Sequence, residues 1–148
     1  MIRAAKTAVA WLICAAALAM VGCATAPIDK ARQYTTGLAD GGLAAGRFVA
    51  TLNEQKEGEI ATQVEDDGDA PKARRERDHW RRIYDGADKA IKTFGAGVGG
   101  LRAGIEIKAA MGGKIALGPI IAEGLKLWES LKAALKSYGI EVPGGNLL

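Results

Sequence analysis

An all-α fold is predicted for the body of this 148-residue chain: a small helical hairpin or three-helix bundle with glycine-rich seams. Three observations predict it. From about Asp29 onward, no segment sustains the alternation of apolar and polar residues that a half-buried strand requires. Trp80, Tyr84, Ala87, Ile91, Phe94, Val98, Leu101 and Ile105 are separated alternately by four and three residues, which is the a/d seam of a helix packed on another. Ile121, Leu125, Trp128, Leu131, Leu135 and Tyr138 form a second apolar stripe, the face such a seam needs as a partner.

The chain begins with a different kind of segment. Arg3 and Lys6 precede an apolar run from Ala8 to Val21, the order of a secretory signal. The run ends in Met20-Val21-Gly22-Cys23, which resembles the lipobox of bacterial lipoproteins, with Met20 where leucine is usual and Val21 where alanine or serine is usual. The resemblance covers residues 1–23. It implies that residues 1–22 are removed, that Cys23 is acylated and becomes the first mature residue, and that Ala24, not being aspartate, directs the protein to the outer membrane. Two or three acyl chains make a stable anchor where one is marginal. On this reading residues 23–30 are a lipid-anchored tether, 31–142 the helical domain and 143–148 a flexible tail. Two alternatives remain open: ordinary cleavage after Gly22-Cys23-Ala24, or an uncleaved inner-membrane anchor formed by the uncharged stretch Thr7 to Ile28. All three place residues from about 29 onward outside the inner membrane.

A first helix is expected from Asp29 or Lys30 to about Val64, with Tyr34, Leu38, Ala45, Phe48, Val49, Leu52, Ile60 and Val64 roughly on one stripe. Gly37, Gly41, Gly42, Gly46 and Gly58 each cost about 1 kcal/mol relative to alanine, so its first half is expected to be broken or ordered by packing alone. Asp67-Gly68 is a turn, and Asp69 with Pro71 reads as cap and first turn of the next helix. That second helix carries the 4/3 seam. Beside the seam, Gly95-x-x-x-Gly99 and Gly100-x-x-x-Gly104 recur at helical spacing, a pattern that lets another backbone approach. Without a partner the stretch 95–104 is expected to fray, and a glycine loop between Phe94 and Leu101 is the competing reading. A connector from Met111 to Pro119 leads to a third helix, Pro119 to Tyr138, capped by Gly139. Its stripe reads as core; a lysine-bearing face lying on a membrane is the alternative.

No motif that carries chemistry stands in the context it needs. Gly95-Ala-Gly97-Val-Gly-Gly100 matches the dinucleotide fingerprint, but no buried strand precedes it and positions 107–122 hold no acid. Gly113-Lys114 is followed by Ile115 instead of serine or threonine. His79 is the sole histidine, beside Asp78 and three residues after Glu76, and reads as a surface residue. Glu65-Asp66-Asp67 is an acidic turn with no apolar wall to raise a carboxyl pKa. Cys14 and Cys23 both lie in or beside the N-terminal run, which leaves no disulfide framework or cysteine metal cluster in the body. No catalytic residue, metal ligand or cofactor site is therefore expected.

Charge carries more information. Removing residues 1–22 leaves 18 basic against 17 acidic side chains in 126 residues, a balance that gives no support for nucleic acid as a partner. Locally the balance breaks: residues 54–69 are strongly acidic and 72–82 strongly basic, so a turn near Gly68 would set opposite charges side by side. The expected role is a non-enzymatic structural or protein-interaction one at the periplasmic face of the envelope, with an envelope protein or a second copy as partner and no evident small-molecule substrate. Trp80, Tyr84, Phe94 and Trp128 are the expected contact residues, because aromatic anchors dominate interfaces. The alternatives are a membrane-active lysis or exclusion factor using residues 93–138, and an enzyme acting on envelope polymers.

Overall fold

The computed structural model describes residues 26–67 and 70–142. They form three helices and no strand: α1 (Pro27–Asp67), α2 (Ala70–Ala110) and α3 (Leu117–Ser137). The expected signal, Cys23 and the tail from 143 lie outside the described residues.

α1 and α2 have 41 residues each and pair antiparallel as a hairpin about 60 Å long at ~1.5 Å per residue. Four contacts set the register. Arg32 meets Glu106, Gly42 meets Phe94, Gly46 meets Ile91, and Asn53 meets Trp80. α3 is half as long, 21 residues, and packs along the half of the hairpin away from the turn. It runs antiparallel to α2, with Leu127 against Gly97 and Tyr138 against Gly86.

α1 starts at Pro27, four residues inside the segment expected to be a tether. Of the two readings for its glycine-rich first half, broken or ordered by packing, it is unbroken. Proline suits a first turn because its missing N–H would have no partner there, and the Ala26 carbonyl accepts from the N–H groups of Asp29 and Lys30. Continuity through Gly42 comes from tertiary packing: a Cβ there would sit 2.6 Å from the Phe94 ring, so the absence of a side chain admits the phenyl group. Burying a phenylalanine contributes about 1.5–3 kcal/mol, more than one glycine costs in helix propensity.

α2 is helical through 95–104, so the competing loop between Phe94 and Leu101 does not form, and α1 and α3 supply the partner without which this stretch is expected to fray. Phe94, Val98 and Ile105 of the predicted seam are buried and hold this stretch in place. The glycine pattern there does not act as expected. A Cβ at Gly95, Gly99, Gly100 or Gly104 would meet nothing within 4 Å, whereas one at Gly97 would strike Leu127. Close approach is made instead by isolated glycines: Gly86 lies under Tyr138, and Gly124 under Tyr34 and Leu38.

The core is the seam closed by α3. Leu38, Ala45, Val49, Ala87, Phe94, Val98, Trp128, Leu131, Leu135 and Ile140 form one buried cluster. Phe94 and Trp128 meet edge to face with centroids 5.7 Å apart. Both helix ends that carry a glycine turn are closed alike. Gly112 and Gly139 have positive φ, 67° and 74°, and the following N–H groups of Gly113 and Ile140 donate back to Lys108 and Leu135. Gly139 is thus the cap its position predicted.

Candidate functional site

The four aromatics expected to contact a partner are drawn into the molecule to different depths. Phe94 and Trp128 are buried at its centre, 3% and 6% exposed, so replacing them tests the fold before it tests any interface. Tyr84 is half-buried against the core. Trp80 is half-buried, and its Nε1 donates to Asn53 Oδ1 at 2.9 Å, linking α2 to α1. The apolar face of the 93–138 region is turned inward through Phe94, Val98, Trp128, Leu131 and Leu135.

Among the grooves the bundle leaves open, one between α1 and α2 is lined by Thr35, Leu43, Arg47, Phe94, Gly99 and Arg102 among others, with a volume of about 610 Å³. Its floor is apolar: Ala39 and Gly42 from α1 meet Ile91, Phe94 and Val98 from α2. Its walls are low because Gly46, Gly95 and Gly99 carry no side chain. The repeat at Gly95 and Gly99 therefore shapes an open surface instead of an internal seam. Leu43 stands on the rim, 62% exposed. Thr35, the buried polar residue in the lining, is internally satisfied: its Oγ1 donates to the Arg32 carbonyl at 3.0 Å.

The groove spans Thr35 to Ala50 on α1, about 22 Å of helix. Arg47 lies level with residue 90 of α2, and Arg102 lies roughly 18 Å further along, near the other end. Neither arginine makes an ion pair among the described residues. The groove is thus an apolar trough with a cation near each end. The periodicity of the seam identified its floor, but nothing in the spacing of Arg47 and Arg102 marks them as sharing a surface.

The ionisable groups with shifted pKa values are explained by local contacts. Arg32 donates twice to Glu106, Nε to Oε1 at 2.8 Å and Nη2 to Oε2 at 2.7 Å; this holds the Glu106 carboxyl below its ordinary range and raises the guanidinium. A hydrogen bond to Asp88 raises Lys92, and burial raises Tyr34, whose hydroxyl donates to the Ile121 carbonyl at 3.1 Å. His79 and Asp78 are exposed on α2. The stretch Gly95–Gly100 lies inside α2, where helical bonding occupies the backbone N–H groups that a phosphate cradle would need free.

Comparison with family models, with curated proteins and with solved structures found no match.

Proposed function

We propose that this protein is a lipid-anchored envelope protein, held at the outer membrane through Cys23 and facing the periplasm, with a non-enzymatic role in protein interaction. The α1/α2 groove carries this reading. Its lining offers apolar contact area and two terminal cations, and its one buried hydroxyl is already bonded. Such a trough suits a partner helix with a face of small and apolar side chains and an acidic residue near each end, because a low wall of glycines admits a helix closely and the arginines select its charge.

Gly99→Leu separates binding from folding. A Cβ at exposed Gly99 meets nothing within 4 Å, so the leucine side chain grows from open backbone into the trough. Helix propensity favours leucine over glycine by up to ~1 kcal/mol, so the melting temperature should hold or rise. A photo-crosslinker at Leu43 in cells should capture one specific partner, and Gly99→Leu should abolish the adduct. An adduct that survives Gly99→Leu would remove the groove as the binding surface. Capture of a second copy would replace the external partner with self-association. The anchor is tested on its own by the intact mass of the membrane-bound protein: a chain starting at Cys23 with added acyl mass, lost in Cys23→Ala.

A further inference from the structure

At the end of the bundle opposite the hairpin turn, the start of α1, the end of α2 and the start of α3 come level, as the contacts Arg32 to Glu106 and Tyr34 to Ile121 show. Two of the three most exposed large apolar side chains of the described residues stand on this end, Met111 at 81% and Ile107 at 62%, with Ile121 at 37% beside the start of α3; the other, Leu43, is on the rim of the groove. Isolated apolar residues are ordinary on a surface. These are accompanied by a charge pattern of one sign.

Every acid near the end is engaged within the protein. Asp29 and Glu106 both pair with Arg32, and Glu123 pairs with Lys126 at 3.5 Å. The lysines are not: Lys30, Lys108 and Lys114 are exposed and make no ion pair among the described residues. Apolar tips ringed by unneutralised lysines fit the interfacial layer of a membrane that carries anionic lipid.

The chain itself says which way this end faces. Three residues separate Cys23 from Pro27, at most about 14 Å of extended chain, and the uncharged stretch Thr7 to Ile28 leads directly into α1. Whatever holds the N-terminus in a membrane holds this end of the bundle against it. We propose that the end formed by Ile107, Lys108, Met111 and Lys114 docks on the lipid surface, with Ile107 and Met111 in the interfacial layer and the two lysines at anionic headgroups. The docked bundle then stands on the membrane with its groove and charged turn directed away. The proposal rests on the anchored reading for orientation, and on the residues of the end for the contact.

The test uses the full chain with Cys14→Ser and Cys23→Ser, so that Met111→Cys or Glu57→Cys carries the sole thiol for an environment-sensitive dye. The uncharged stretch 7–28, long enough to span a bilayer, is kept when acylation is prevented, so contact and acylation are read separately. In phosphatidylcholine vesicles containing phosphatidylglycerol, the label at position 111 should shift to the blue and be quenched by brominated lipid, while the label at 57 stays in water. Replacing Lys108 and Lys114 by glutamine should lower the docked-to-free ratio about fivefold for each lysine. A label at 111 that stays in water overturns the proposal. So does a blue shift without lipid quenching, which would mark contact between copies, or quenching unaffected by loss of the lysines. Failure of Cys23 to carry acyl mass overturns the lipoprotein reading and leaves this result standing.

Discussion

From Gly86 to Ile105, α2 has a helix on two sides and buries Ala87, Phe94, Val98 and Ile105. From Ala70 to Asp85 the buried residue is Ala73, which the register set by Trp80 and Asn53 places level with buried Ile60 on α1, and only Ile83 and Tyr84 pack against the edge of the cluster. The first region is held by a continuous apolar cluster. The second is held by Ile60 and by the hydrogen bond from Trp80 to Asn53, on segments whose sequences carry opposite charge. An exposed pair contributes only ~0.2–1 kcal/mol, so opposite charge along the arms would bias their alignment more than stabilise it. One hairpin therefore has a rigid half and a half that opens at lower free energy.

The largest test of this contrast is a pair of truncations. Trp128→Ala should cost about 3–5 kcal/mol and lower the melting temperature of the whole bundle. Ile60→Ala, nominally about 2–5 kcal/mol, should accelerate amide exchange in residues 51–85 and leave the core of 87–105 protected. Equal loss of protection in both regions would show that the hairpin is a single cooperative unit. A smaller effect of opposite sign comes from Gly58→Ala: nothing lies within 4 Å of the new Cβ, so α1 gains roughly 0.5–1 kcal/mol, seen as slower exchange in the bare arms. The smallest is a pH effect in the covered half. Arg32 lowers the Glu106 pKa, so the stabilisation is complete above the unfolded-state value and disappears as pH falls through the lowered folded value. Acidification through the carboxylate range should speed exchange at the start of α1, and Glu106→Gln should abolish that pH dependence.

The covered half was the more legible in sequence. Alternate spacings of four and three identified Phe94, Val98 and Ile105, and the third stripe identified Trp128, Leu131 and Leu135, because large apolar side chains at helical spacing have few other uses. Ala31, Thr35, Gly42 and Ala73 are buried too, but small or polar residues give no hydropathy signal. The glycines misled for a related reason. Regular spacing drew attention to Gly95, Gly99, Gly100 and Gly104, which face open space, while the glycines that admit Tyr138 and Tyr34 stand alone at 86 and 124. Whether a missing side chain makes room for a neighbour depends on which residue lies opposite, and a single chain's spacing does not contain that information. Exposure is likewise invisible for Ile107 and Met111, which stand beyond the seam and at the start of the connector.

The bond from Tyr34 to Ile121 joins residues 87 apart in the chain, and the link from Arg32 to Glu106 joins residues 74 apart. The arms beside the turn meet across a handful of residues. Closing a longer loop costs more entropy, though only logarithmically, and contacts between distant residues form slowly. A chain emerging N-terminus first would therefore release α1 long before α3 exists to cover it. The order of assembly favoured by this topology runs from the weakly held turn toward the strongly held end, so the last contacts made are the ones that lock the fold.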